Sequence, residues 1–298
     1  MIQSLNAQFA IEGKVQFQET EDGFIFMAVN SELCDATIAV QGAHLMTWVP
    51  CGEEPVIWLS PVAILAKGKS IRGGVPICWP WFGAHSSNSH FSGHGFARTV
   101  DWKVCSVALL DDGRIEVAFE IADIPSEQWS KDVPATMKMV LGEALEISLI
   151  THNHGHETVT VGDALHTYFC VDDIEAVAIQ GFDGCTYLDK VGESARYVQE
   201  GDVNISREVD RIYFDQGQDI VIDDHNLARQ IRIEKRNSHS SIVWNPWIDK
   251  SIKMGDFGSD IGYRKMVCVE SANADIDVVD LAAGATHELW VRYSVSHD

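Results

Sequence analysis

Period-two alternation of apolar and polar residues dominates the chain. In Arg114-Ile115-Glu116-Val117-Ala118-Phe119-Glu120-Ile121 and in Gln230-Ile231-Arg232-Ile233-Glu234 the apolar side chains fall on one side of an extended backbone and the polar ones on the other. Such runs predict half-buried strands. Turn signals separate many of them: Asp111-Asp112-Gly113 after VCSVALL, Leu141-Gly142-Glu143 between TMKMV and ALEISLI, and Asp223-Asp224-His225-Asn226 before LARQIRI. The pattern predicts successive hairpins and therefore antiparallel sheet. Helical periodicity is scarce; Pro125–Ser130 is a modest candidate, short enough to be a single turn. No Pro-, Ser- or Gly-rich linker divides the chain. The expected architecture is all-β, one large antiparallel β-sandwich domain spanning residues 1–298. Residues 61–98 break the pattern, with Gly, Pro, His and aromatic residues crowded together without alternation. Irregular loops on a rigid β scaffold are where function concentrates.

Composition narrows the classes. Of 298 residues, 46% are hydrophobic and 22% charged, so there is ample apolar surface to bury. The 22 basic against 44 acidic residues give a formal net charge of −22, which opposes nucleic acid and anionic membrane surfaces at long range. A small anion remains compatible, because a local arginine cluster outweighs a screened global field at contact distance. Seven scattered cysteines, without Cys-x-x-Cys spacing, point to reduced thiols in a cytoplasmic protein rather than a disulfide framework or a zinc site. The N-terminal stretch has no basic start followed by a continuous apolar run, and no segment reaches the length of a membrane span.

Several residues could carry chemistry. In Ser70-Ile71-Arg72-Gly73-Gly74-Val75-Pro76 the glycines allow a sharp turn that holds the Arg72 guanidinium out of the sheet. Arg98, in His94-Gly95-Phe96-Ala97-Arg98, comes from the same irregular region, and two such arginines can clamp a phosphate. In Ala164-Leu165-His166-Thr167-Tyr168-Phe169, alternation places His166 and Tyr168 on one face; an imidazole there is a natural proton donor. Glu270 terminates the apolar run Met266-Val267-Cys268-Val269, where partial desolvation raises a carboxyl toward the range of a general base. Val243-Trp244-Asn245-Pro246-Trp247 reads as two indoles about an Asn-Pro turn, of the sort that lines sugar sites, and Trp247 is the expected sugar contact. Each has a plainer structural reading, as a surface arginine, a core histidine, a strand-end carboxylate or a packed indole. His152, His154 and His156 lack a completing carboxylate or cysteine pattern, and no metal is expected.

The stretches IRGGVPICWPWFG, HGFAR, LHTYF, WNPW and VCVE, in this order, resemble the hexose-6-phosphate mutarotase (glucose-6-phosphate 1-epimerase) family, over a span from about residue 40 to about residue 275. The resemblance implies the galactose-mutarotase-like β-sandwich. It implies that Arg72 and Arg98 bind the sugar phosphate, that His166 and Glu270 are the catalytic pair, and that Asp210 contacts substrate, with His94 a further sugar contact. It further implies interconversion of hexose 6-phosphate anomers; that chemistry needs no cofactor, and a monomer is expected. An aldose 1-epimerase acting on free sugars and a non-catalytic carbohydrate-binding module are the rival readings. Two departures stand out. Gly93 replaces the Gln that commonly precedes the His of HGFAR, and Ser271-Ala272-Asn273 follows Glu270 where relatives often continue Pro-Gly, so the loop after Glu270 is expected to run differently.

Overall fold

The computed structural model describes residues 1–297 and is built almost entirely of antiparallel strands. The alternating runs become strands where expected: Ile115–Ile121 alternates buried and less buried positions, as does much of Arg229–Arg236. The three turn signals each close a hairpin, pairing Trp102–Leu109 with Ile115–Ile121, Ala135–Leu141 with Leu145–His152, and Ile220–Asp224 with Arg229–Arg236. Pro125–Ser130 is a turn, held by amides of Gln128 and Trp129 donating to the Pro125 carbonyl. Among the described residues no helix is long and apolar enough to cross a membrane.

Two large sheets face each other. The nine-stranded sheet runs, in spatial order, Val203–Asn204, Val177–Gln180, Ile220–Asp224, Arg229–Arg236, Thr286–His297, Leu145–His152, Ala135–Leu141, Ile115–Ile121 and Trp102–Leu109. In the eight-stranded sheet Met266–Asn273 lies near the middle, with Ser240–Asn245 on one side and the two short strands Asp163–Leu165 and Tyr168–Cys170 on the other. Leu149, Ile233 and Val291 of the first sheet and Val243, Val267 and Val269 of the second belong to one buried apolar cluster, the filling of the sandwich. A four-stranded sheet over residues 15–50 adds to the same cluster.

The eight-stranded sheet is buried on its other face as well. Ile212, Ile242, Trp244, Met266, Cys268 and Ala272 form a second apolar cluster. All eight residues of Met266–Asn273 are consequently buried. A strand covered on both sides loses simple alternation, which is why VCVE reads as a nearly continuous apolar run. Glu270 therefore sits inside the strand rather than at its end. The strand continues through Ser271-Ala272-Asn273, with Asn273 paired to Asp163, so no loop follows Glu270.

Two helices went unforeseen. Ile2–Phe9 packs Ile2, Leu5 and Phe9 against the core cluster. Trp247–Met254 begins directly after Pro246, whose restricted φ suits a helix start, and ends at Gly255 in the left-handed region. The stretch read as an Asn-Pro turn is thus a strand-to-helix junction, fixed by the Trp247 amide donating to Asn245 Oδ1 at 2.9 Å.

Arg229 illustrates how the loops are tied to the sheets. It is 2% exposed, and its guanidinium donates to the carbonyls of Glu54, Pro55 and Cys170 at 3.0, 3.0 and 2.8 Å. Arg229→Ala leaves three carbonyls without this donor and is expected to cost roughly 3 kcal/mol in urea denaturation, with little of it recovered by Arg229→Lys, whose single ammonium lacks the forked geometry.

Candidate functional site

Strand register brings the relevant side chains onto the second face of the eight-stranded sheet. Asp210 pairs with Trp244, Trp244 with Cys268, and Cys268 with Tyr168, one row across four neighbouring strands. The next row, two residues along, carries Ile212, Ile242 and Glu270. Opposite Glu270 the strand pairing is interrupted between Leu165 and Tyr168. There the His166 amide donates to the Pro76 carbonyl at 3.0 Å, and the Thr167 hydroxyl is 2.7 Å from that of Tyr293 in the facing sheet. The break turns the imidazole over the sheet, where it stacks on Tyr168 with ring centroids 5.0 Å apart. His166 Nε2 comes to lie 3.4 Å from Glu270 Oε1.

The Arg72 loop is bound to the same segment, since the Tyr168 amide donates to the Gly74 carbonyl at 2.9 Å. Neither glycine of Arg72-Gly73-Gly74 can carry a side chain. A Cβ on Gly73 would lie 2.6 Å from the Trp58 carbonyl oxygen, and one on Gly74 would lie 2.3 Å from His44 Nε2. Arg72 donates to Asp256 Oδ2 at 2.9 Å and to the Tyr168 hydroxyl at 2.7 Å, and lies against the Phe257 ring. Arg98 comes from a short 3₁₀ turn, Ala97–Thr99, and donates to the Gly93 carbonyl at 3.0 Å. His94 has φ +66°, and its Nδ1 accepts from the Gly83 amide at 3.3 Å, leaving Nε2 as the donor. An imidazole held in the left-handed region is the kind of strain that clusters at ligand sites.

These groups line one cavity of about 300 Å³, small but within the range of ligand pockets. Arg72, Arg98, His94, His166, Asp210 and Glu270 all reach it. Trp247 does not. As the first residue of its helix it turns away and packs on Tyr263, with centroids 5.1 Å apart; Trp244, on the sheet face, supplies the indole. Sequence reasoning missed Lys190, Lys250 and Phe82, which also line the cavity and carry no local pattern that would mark them. A larger groove near the N-terminal helix has Glu12 and Lys14 as its charged lining and no cluster of convergent ionisable groups. The rings of His152 and His154 stack 5.7 Å apart, away from this cavity, in a turn that Asn153 ties through bonds to Glu157 and Leu281 carbonyls.

Burial governs the protonation of the pair. It pushes the Glu270 carboxyl well above the usual carboxylate range, and the nearby Asp210 charge adds to this while Lys190 and Arg98 oppose it. Burial also pushes the His166 imidazole well down, helped by His94, Arg98 and Arg72. Both shifts favour the neutral forms, the carboxyl and the imidazole. His166 Nδ1 and Glu270 Oε2 are buried without a protein hydrogen-bond partner, which disfavours the bare site and favours a ligand rich in hydroxyls.

A desolvated carboxyl–imidazole pair beneath a cationic rim, on the face of a large antiparallel sandwich, is an arrangement able to move a proton to or from a small polar ligand. The aldose 1-epimerase family model matches residues 27–294. A protein of Escherichia coli K12 bearing the provisional name glucose-6-phosphate 1-epimerase is 36% identical over 256 residues, covering 85% of this chain and 84% of the relative. A similarly named protein of the grass Cenchrus ciliaris is 32% identical, covering 80% and 75%. The crystal structure of the Salmonella typhimurium protein YeaD, provisionally titled a mutarotase, superposes with a TM-score of 0.89 at 30% identity over the whole of both chains. The chain belongs to the aldose 1-epimerase family, and its fold is that of the galactose-mutarotase-like proteins.

His44 supports the Arg72 loop from beneath. It is fully buried, with Nε2 2.9 Å from the Gly73 carbonyl oxygen, and burial pushes its pKa down to about 4 from an ordinary 6.5. The folded protein keeps this ring neutral while the unfolded chain protonates it. The resulting stability is present above pH 6.5 and is lost as pH falls toward 4. His44→Gln is expected to be less stable at pH 7 but to lose about 3 kcal/mol less than wild type between pH 7 and pH 4, measured by urea denaturation at both values.

Proposed function

We propose that this protein interconverts the α and β anomers of a hexose 6-phosphate by acid/base ring opening and reclosure. The observation that carries the reading is the 3.4 Å approach of His166 Nε2 to Glu270 Oε1 in a cavity rimmed by Arg72 and Arg98. Relatives named for glucose 6-phosphate support the substrate class. Glu270 takes the proton from the anomeric hydroxyl, and the electrons of that O–H bond form the C1 carbonyl. The bond from C1 to the ring oxygen breaks, and the ring oxygen takes a proton from His166. Rotation about C1–C2 and reversal of both transfers yield the other anomer. Each group ends the cycle in its starting state, so the chemistry calls for no redox step.

The phosphate does more than anchor the sugar. Burial chiefly, then His94, Arg98 and Arg72, depress the basicity of His166, and a phosphate bound between the two arginines cancels their share. Arg98 also acts on Glu270, so it is the Arg72 share, which falls on His166, that moves the proton balance toward the imidazole and leaves Glu270 as the carboxylate base. Free sugars lack the compensating charge. Binding energy from the remote phosphate is thereby expressed at the reacting atoms.

Magnetisation-transfer NMR on equilibrated glucose 6-phosphate and glucose measures this exchange directly. Wild-type protein is expected to accelerate exchange of the phosphate sugar selectively. His166→Ala should lower that acceleration by about 10²- to 10⁴-fold. Arg98→Gln should weaken discrimination between the two sugars. Equal acceleration of both sugars by wild type would favour an epimerase for free sugars, and acceleration of neither would favour a binding module.

A further inference from the structure

Four cations border the cavity, and they differ in how fully they are committed. Arg72 is bonded to Asp256 and Tyr168, Lys250 donates to Glu208 Oε1 at 2.7 Å, and Arg98 is anchored through one nitrogen to the Gly93 carbonyl. Lys190 differs. Its Nζ is 3.8 Å from Asp210 Oδ1, beyond hydrogen-bonding distance, and lies 5.9 Å from the centroid of the Phe82 ring. Among the described residues neither the Lys190 ammonium nor the Asp210 carboxylate has a hydrogen bond, although both line the cavity.

Their placement is nevertheless firm. Lys190 directly follows the strand Thr186–Asp189, and its amide donates to the Asp210 carbonyl at 2.8 Å, so the two residues are locked in register. Phe82 neighbours both Lys190 and His94, with the Lys190 ammonium on its ring and the His94 ring roughly perpendicular to it at 4.7 Å. A donor and an acceptor side by side, pointed into a pocket and not satisfied by each other, match two neighbouring hydroxyls of a sugar.

The orientation follows from which side of Glu270 each group occupies. Arg72 is bonded to Tyr168, on which His166, the group that serves the ring oxygen, stacks, and the C6 phosphate branches from the carbon next to that oxygen. Asp210 and Lys190 lie on the other side of Glu270, the group that serves the anomeric hydroxyl, across the strand that carries Trp244. The sugar hydroxyls that come after the anomeric carbon, at C2 and C3, therefore lie toward Lys190 and Asp210. Resting on the reading of this cavity as a hexose 6-phosphate site, we propose that Lys190 is a specificity-determining residue that donates to one of the C2 and C3 hydroxyls while Asp210 accepts from the other. The clamp fixes the sugar at the end opposite the phosphate and makes the site selective for the vicinal diol.

Calorimetric titration of wild type and Lys190→Met with glucose 6-phosphate, 2-deoxyglucose 6-phosphate and 3-deoxyglucose 6-phosphate tests the clamp. The methionine keeps the apolar stem beside Phe82 and removes the ammonium from an exposed position. Wild type is expected to bind each deoxy sugar about 10- to 100-fold more weakly than the parent, the effect of one charge-assisted hydrogen bond. Lys190→Met should bind the parent weaker by a similar factor and show no further loss for one of the two deoxy sugars. Full persistence of both penalties in the variant, or their absence in wild type, would overturn the proposal. Anomer exchange measured on the same samples separates the two claims: binding with these penalties but without exchange removes the proposed reaction and leaves the clamp, while exchange without the penalties does the reverse.

Discussion

The desolvation of one carboxyl group organises this molecule. Glu270 is 1% exposed in a strand whose eight residues are all buried, and a charge there is tolerated only beside groups that can share its proton or offset its field. His166 meets the first need from the break opposite. Lys190 and Arg98 meet the second, against Asp210, which pushes in the other direction. The second apolar layer over the eight-stranded sheet lowers the polarity around the pair, which strengthens the influence of nearby charges on its proton balance.

The rim is irregular in outline yet closely bonded. The Arg72 loop is stitched to the Tyr168 segment, the Gly83 and His94 backbones are joined at 2.7 Å, and Gly95 lies so close to the Trp79 carbonyl that a Cβ would sit 1.9 Å from its oxygen. Loops built this way hold side chains nearly as precisely as a sheet, at a cost in local strain and unpartnered polar atoms. The overall charge of −22 opposes anion binding, but screening at physiological ionic strength limits it to about 8 Å. Within the cavity Arg72 and Arg98 are close enough for contact interactions to outweigh it.

Much of this was legible in the chain itself. Alternation located the strands and the turn dipeptides located their hairpins, because both depend on local backbone geometry that repeats every two residues. The order of short stretches from IRGGVP to VCVE identified the family, and Arg72, Arg98, His94, His166, Asp210 and Glu270 do converge on one cavity. The placing of Glu270 at a strand end failed because a strand buried on both faces conceals its length in an apolar run. The choice of Trp247 over Trp244 failed at a similar point: a helix starting at Trp247 turns one indole away, and nothing within WNPW distinguishes a turn from a helix start.

The sequence by itself thus determined the antiparallel β architecture, the family and most of the ionisable groups that meet in the cavity. Tertiary structure alone decided that Glu270 and His166 face each other at 3.4 Å, that Trp244 and Tyr168 form the floor beside them, and that Lys190 joins Asp210 at the edge. Residues such as Lys190 and Glu270 lie far apart in the chain. Their meeting depends on the register of hydrogen bonds between distant strands and on a two-residue break at 166–167, neither of which a local pattern of side chains can encode.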